Sequence, residues 1–283
     1  MYELLFYNKS NLNKLWKNLD ESGLDLELKR QLLHDKIIYK ICDNNFILSP
    51  IKNIDLVINL GSGYGSWSHF FNSLNNVFCI INIDIENYYP IFCEKCIDYN
   101  VPEPIIEFKE IDLKKEFINF KNNSVDFIYQ RDMLSVYNVS EWSNILNDIY
   151  KTLKVNSYLE LVEYDFVIKH DNLLNNKYTK KINNYLIDNF KKNNYIHDIN
   201  LLIDIIRKVF KKKINIKVTK LPLYPNSIFN DECIEVLMIG YEYFKDEIEN
   251  IFNIEYKNFV NNIKEEWITN RSYLSLYIIY VKK

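Results

Sequence analysis

A chain of 283 residues with 48% apolar and 26% charged side chains has the composition of a folded protein, which excludes disorder as a description of the whole. Thirty-five Lys and Arg against 38 Asp and Glu leave a formal charge of -3, which offers no field for coating nucleic acid or docking on an anionic membrane. The longest apolar runs, at 77–81 and 276–281, are far below the ~20 residues that span a bilayer. The start of the chain lacks the pattern of a signal peptide, so a soluble protein of the cytosol or nucleus is expected.

Ser10 and Asp25 read as N-caps of two helices, at about 11–19 and 26–42, the second carrying Leu28, Leu32, Ile37 and Ile41 on one apolar face. From residue 54 the pattern alternates between strand and helix. Strands are predicted at 55–60, 77–83, 105–111, 124–129 and 158–164, with helices at 66–74 and about 140–153. Apolar strands separated by helices call for a mostly parallel sheet covered on both faces. Helices follow at about 172–192 and 198–210, then a strand at 214–221, helical stretches over 231–268 and an alternating strand at 273–281. No Gly/Ser- or Pro-rich linker divides the chain. One domain is expected: a helical extension over 1–50, a cofactor-binding core over 51–170, and C-terminal helices with the last two strands over 171–283. The stretch 231–268, with Ile234, Leu237, Met238, Tyr241 and Phe244 at helical spacing, is expected either to wall or lid a substrate pocket or to pack on the sheet or a second copy.

Five cysteines in a chain this long do not make a disulfide framework. Cys93 and Cys96 have C-x-x-C spacing, but a structural zinc site needs a second pair, so no metal is expected and both read as small residues on a helical turn. The triplet Lys211, Lys212 and Lys213 reads as a solvated charge run at a helix end.

Only five glycines occur where average usage would give about 20, and alanine is absent, so the cluster Gly61-Ser62-Gly63-Tyr64-Gly65 stands out. A tight turn between a buried strand and the next helix brings backbone N–H groups and the helix's positive end to the carboxyl edge of the sheet, where ligands bind. The dinucleotide fingerprint G-x-G-x-x-G would need glycine at 66, where this chain has Ser; the observed G-x-G-x-G is the S-adenosylmethionine version of the turn. Asp84 closes the next predicted strand, where a carboxylate can accept both ribose hydroxyl protons, with Glu86 as the alternative partner. Asp112, after the third strand, is placed either to meet the adenine edge or to be solvated.

Together these residues resemble class I S-adenosylmethionine-dependent methyltransferases, and within them the fungal LaeA-like, trans-aconitate-methyltransferase-like (TAM) branch. The resemblance runs over about 25–166 and more loosely to the end. It rests on Arg30, His34 and Ser49-Pro50-Ile51, on Gly61 through Trp67 as G-x-G-x-G-x-W, and on segments 108–112 and 117–120. It continues through 123–132 as "nSfDfIhxRdl", Trp142, and 158–163 as "ylElxE". It implies a Rossmann-like seven-stranded, mostly parallel sheet with helices on both faces, N-terminal helices and a helical insertion before the last strand. It also implies S-adenosyl-L-methionine as cofactor, held by Asn59, Gly61, Ser62, Gly63, Gly65, Asp84, Ile85, Asp112, Leu113 and Gln130. Two positions depart from the family: Asn59 replaces an Asp that supports the methionine ammonium, and Lys154-Val155-Asn156-Ser157 replaces a Lys-Pro-Gly-Gly turn, with Asn156 able to take its left-handed conformation.

Methyl transfer is an in-line displacement on an activated donor, so positioning carries much of the catalysis. Gln130-Arg131-Asp132 follows strand four, where the family's substrate meets the methyl group. Arg131 is expected either to clamp an anionic substrate or the methionine carboxylate, or to form a salt bridge with Asp132 or another surface acid. Tyr164 and Asp165, just past the predicted fifth strand, are pocket candidates, and Arg131, Asp132 and Tyr164 are the catalytic candidates. His69 and Trp67 read as packing residues or as ligand-facing ones. The acceptor is a small molecule or a protein side chain, and the alternative is a weak or inactive methyltransferase fold serving as a regulatory or scaffolding module.

Overall fold

The computed structural model describes residues 25–75, 77–96, 105–115, 120–172, 176–225, 228–229 and 231–283. The expected helix at 11–19 with its Ser10 cap, and residues 117–119 of the motif, lie outside them.

Seven strands form one sheet in the order β3-β2-β1-β4-β5-β7-β6. β1 (Leu56–Leu60), β2 (Cys79–Asp84), β3 (Ile106–Glu110), β4 (Val125–Arg131) and β5 (Leu153–His170) pair in parallel. β7 (Ser272–Lys282) runs antiparallel to both β5 and β6 (Ile214–Pro222). The chain winds outward from β1 in one direction to β3 and resumes on the other side at β4. The crevice at the carboxyl ends of β1 and β4 is therefore the switch point where such sheets take ligands.

The helices cover the two faces differently. On one face lie α1 (Leu26–Ile41), α2 (Ser66–Asn75), α3 (Tyr89–Cys96) and, from the insertion, α7 (Glu232–Glu242), α8 (Lys245–Phe252) and α9 (Tyr256–Asn270). On the other lie α4 (Val139–Thr152) and α6 (Ile199–Phe210), with α5 (Lys177–Lys192) between β5 and α6 in sequence. α1 starts where its sequence says it should, because Asp25 accepts a hydrogen bond from Leu28 N at 2.9 Å and relieves one of the unpaired N–H groups of the first turn. α4 opens with a capping box in which Asn138 and Glu141 satisfy each other's backbone N–H. Glu266 of α9 caps α5, accepting from Tyr178 N and Thr179 N at 2.8 Å each, at the end where the helix dipole favours a negative charge.

One expectation changes. β5 extends to His170 instead of stopping at 164, because its pairing with β7 continues past the point where β4 ends. Tyr164 and Asp165 thus sit inside the strand, not beyond it. Asn156 does take a left-handed conformation, φ +71°, within the irregular start of β5. Of the two places expected for the insertion, its residues take the packed one: Cys233, Val236, Ile239, Tyr241, Phe259, Ile263 and Trp267 enter the core on the α1 face, and Phe244 stays half exposed because α7 ends before it. Among the described residues no helix is long and apolar enough to cross a membrane, and no group of three or more His, Cys, Asp or Glu is arranged to hold a metal ion.

Candidate functional site

The loop after β1 is fixed to the end of β2 by its own backbone. Gly61 N and Ser62 N both donate to Ile83 O, at 2.8 and 3.1 Å, and Gly65 N turns back to Ser62 O at 2.9 Å. Asp84 completes the anchor: Oδ2 accepts from Gly63 N and Oδ1 from Ile85 N, each at 2.7 Å. Gly63 adopts φ +53°, and a Cβ there would stand 2.5 Å from the Gln31 side-chain amide, so both conformation and space require glycine. α1 holds the loop from above, with Gln31 Oε1 accepting from Tyr64 N at 3.1 Å and Asp25 accepting from the Tyr64 hydroxyl at 3.1 Å.

Beneath α1 lies a cavity of about 380 Å³, within the roughly 300–1,000 Å³ of small-molecule sites. Its walls are Gly61, Ser62 and Gly63 of the loop, Asp84 and Ile85 after β2, residues 111–114 after β3, and Arg131, Asp132, Met133, Val136 and Tyr137 after β4, with Arg30 and Gln31 of α1. The structure thus brings together Gly61, Ser62, Gly63, Asp84, Ile85, Asp112, Leu113, Arg131 and Asp132, whose positions span four separate strand ends.

Four expected site residues do not line it. Asn59 points into the core on the α2 side, where its amide donates to Ser68 Oγ at 3.0 Å and Asn82 Oδ1 at 3.4 Å. Gly65 serves packing, since a Cβ would stand 2.6 Å from the Asn82 amide and 2.8 Å from the Tyr89 ring. Gln130 lies in β4 in register with Leu60 and Leu161, fully buried. Tyr164 is buried under α1, its ring stacked on His34. Nor does Glu86 line the cavity; it accepts from the Tyr88 hydroxyl on the surface. Trp67 packs on Tyr129 with ring centroids 3.8 Å apart, and His69 lies edge-on to Phe92 in the core, where burial lowers its pKa to about 4.

The charges around the cavity are organised by α1. Arg131 pairs with Asp35 at 2.6 Å, and Asp35 also accepts from Ser66 Oγ at 2.5 Å, so the acid that meets Arg131 is a buried one and not Asp132 or a surface residue. Arg30 is held by Glu27, at 2.7 and 2.8 Å, with Asp132 at 3.7 Å. Burial alone would lower both guanidinium pKa values, but the adjoining carboxylates raise them, so both stay charged. Burial raises the Asp84 pKa against its two N–H donors. A hydrogen bond from Lys115 lowers Asp112, which is solvated. Tyr137, its hydroxyl buried without a hydrogen bond among the described residues, is pushed well up by burial and by Asp84, Glu163 and Asp112. Gln31, Asp35 and Tyr137 went unnoticed in the sequence. Glu27, Gln31 and Asp35 recur on one helix beside Arg30 and His34, a run of polar residues that an amphipathic reading assigns to solvent.

Neither a protein-family model nor a curated protein matches the chain. Solved structures do. A S-adenosylmethionine-dependent methyltransferase from Methanosarcina mazei superposes with a TM-score of 0.50 at 17% identity, over 83% of this chain and 98% of that one. A geranyl diphosphate methyltransferase in complex with S-adenosylmethionine gives 0.50 at 10% identity, over 95% of each chain. The chain spans 57% of a Haemonchus contortus phosphoethanolamine N-methyltransferase, and that match covers 89% of this chain at a TM-score of 0.47 and 14% identity. At these identities the likeness shows the fold: a Rossmann-like sheet of the class I methyltransferase kind.

Proposed function

We propose that this chain is an S-adenosylmethionine-dependent methyltransferase of the cytosol or nucleus, of the LaeA-like, TAM-like kind, acting on a small molecule or a protein side chain. The observation that carries this reading is the cavity at the switch point, floored by the Gly63 turn and flanked by Asp84. The residues fit S-adenosylmethionine. Asp84 keeps unused lone pairs for the ribose hydroxyls, Asp112 and Leu113 offer an acceptor and a backbone donor to the adenine edge, and Ile85, Met133 and Val136 offer it apolar contact. Arg30, at the cavity's edge, suits the methionine carboxylate. When bound, the cofactor supplies an activated methyl group on a sulfonium. The protein's part is to hold it, orient the acceptor at the Arg131–Asp132 end and exclude water, for which the α1 roof is placed.

Calorimetric titration tests this. S-adenosylmethionine should bind the wild type, Gly63→Val should abolish binding, and Asp84→Ala should weaken it by about 1–3 kcal/mol through lost charged hydrogen bonds. Unchanged affinity in both variants, or tighter binding of NAD, would sink the assignment.

A further inference from the structure

The charged residues of the cavity fall at its two ends. Asp112 and Lys114 follow β3, whereas Arg131 and Asp132 follow β4, three strands away in the order β3-β2-β1-β4, or about 14 Å at the usual strand spacing. Lys114 and Asp112 thus set the charge at one end, and Arg30, Arg131 and Asp132 set it at the end under α1. There both guanidinium groups are matched by carboxylates outside the lining, Arg131 by Asp35 at 2.6 Å and Arg30 by Glu27 at 2.7 Å. Asp132 is a third carboxylate against these two cations. Burial opposes its ionisation, but the groups about it hold its pKa down to about 2. His34 does not cancel that charge, because burial lowers its pKa and leaves the imidazole neutral at pH 7.

Asp132 is also within reach of a ligand. Its side chain is 25% exposed and lines the cavity, while His34 behind it is fully covered. Its contacts with His34 Nδ1 at 2.9 Å and Arg30 Nη1 at 3.7 Å both fall on Oδ2, so Oδ1 has no partner among the described residues. The distance to Arg30 is longer than a formed hydrogen bond. Asp132 leaves β4 with φ +59°, in the left-handed region that Asp and Asn enter more readily than other residues with a Cβ. The other carboxylate and amide acceptors near this end are engaged or out of reach. Gln31 gives its oxygen to Tyr64 N and its amide nitrogen to Glu27. Asp35 lies outside the lining, and Asn59, where the sequence puts support for the cofactor's ammonium, is turned to Ser68 and Asn82 in the core.

We infer that Asp132 is the carboxylate that binds the cofactor's α-ammonium, in place of position 59, and that it forms with Arg30 a clamp for the zwitterionic tail. This rests on the methyltransferase reading and names the partner that reading lacks. An amino-acid tail carries its carboxylate and ammonium on one carbon, so a site that takes the carboxylate on Arg30 must take the ammonium close beside it, which is where Asp132 stands. S-adenosylmethionine has an ammonium and a sulfonium against one carboxylate, and its net positive charge is offset by the surplus negative charge of this end. His34, its ring stacked on Tyr164 with centroids 4.6 Å apart, braces Asp132 from behind.

Three ligands separate the two halves of the tail: S-adenosylhomocysteine, its deamino analogue with hydrogen in place of the amino group, and its decarboxy analogue with hydrogen in place of the carboxyl group. None carries the sulfonium, so calorimetric titration reads the tail alone. Wild type should bind the deamino analogue at least about tenfold more weakly than S-adenosylhomocysteine. Asp132→Asn and Asp132→Gly both suit a positive φ, so two different side chains keep the turn. In each variant S-adenosylhomocysteine and the decarboxy analogue should weaken at least about tenfold, while the deamino analogue changes less than about twofold. Equal weakening of all three ligands, which a merely structural Asp132 would give, overturns the inference, as does a wild type that binds S-adenosylhomocysteine and the deamino analogue alike. Both results leave the methyltransferase reading standing. Failure of the wild type to bind S-adenosylhomocysteine at all removes both.

Discussion

The two faces of the sheet are built on different principles. Under α4 and α6 the contact is mostly apolar, with buried Gln130 and Glu163 at its carboxyl edge: Ile58, Leu60, Ile128 and Leu161 of the strands meet Trp142, Ile145, Ile149, Leu202, Ile206 and Phe210. Under α1, α2 and the insertion, apolar residues share the interior with buried His34, Asp35, Asn59, Ser68, His69, Asn82 and Glu160. Glu160 alone accepts from Leu48 N, Ser49 N and Ser49 Oγ, at 2.6–3.1 Å, tying the lead-in to β1 onto β5. Apolar area stabilises without choosing a geometry, whereas buried polar pairs cost desolvation and fix one arrangement. The polar face is the one whose helix α1 reaches the cavity.

Breaking the largest of these pairs should have the largest effect. Arg131→Met leaves the Asp35 carboxylate buried with only Ser66 beside it and should cost about 3–5 kcal/mol in urea unfolding. Adding Asp35→Leu should restore most of that loss, because no buried carboxylate is then left without its cation. On the other face, Ile149→Ala should cost about 2–4 kcal/mol through the void it leaves, with cofactor affinity intact. If Asp35→Leu brings no recovery, the polar face is not held by this pair.

The same contrast sets what could be read from the sequence. α1 and α4 carry local signals, a cap and a periodic apolar face, and the Gly61–Gly65 turn carries its own conformational requirement. The ends of every strand but β5 are therefore legible to within about two residues, and the cavity's floor with them. Arg131 and Asp35 lie 96 residues apart, and Glu160 and Ser49 lie 111 apart, so no local pattern joins them. Nor could the length of β5 be read from its own residues, because its partner β7 comes from the end of the chain. Over the cavity, α1, which the sequence shows only as an amphipathic helix, supplies cover through Arg30 and Gln31.

His69 offers a pH test of the polar face. Its folded pKa lies near 4 because burial opposes the charged form, whereas the unfolded chain protonates near 6.5. The unfolded state alone therefore binds the proton between those values. Stability is full above pH 6.5, falls as pH drops toward 4, and levels off below. At roughly 1.4 kcal/mol per pH unit the loss approaches about 3 kcal/mol. His69→Phe keeps a ring against Phe92 and removes the titration, so the variant should gain on the wild type as pH falls from 7 to 4. A constant offset across that range would overturn it.

The smallest effect concerns how α7 is joined to α1. Lys36 and Lys40 reach the two oxygens of Glu232 at 2.5 and 2.6 Å, with the Glu232 side chain 9% exposed and the lysines 23% and 29%. Either lysine changed to Met should cost about 0.5–1 kcal/mol, because the other still neutralises the carboxylate. Removing both leaves Glu232 without its cations at a covered position, so the double variant should lose more than the two singles together. On the opposite face Arg207 and Asp204 of α6 also meet at 2.5 Å, but at 61% and 56% exposure. Water screens that pair, so Arg207→Met should change nothing measurable. Thermal melts at low and high salt separate the cases: the wild type should lose the extra Lys36–Lys40–Glu232 stabilisation only in part as salt rises, since the carboxylate is largely covered. Additive lysine variants with a full loss in salt would place this pairing in the same class as Arg207–Asp204 and erase the difference between the faces at their rims.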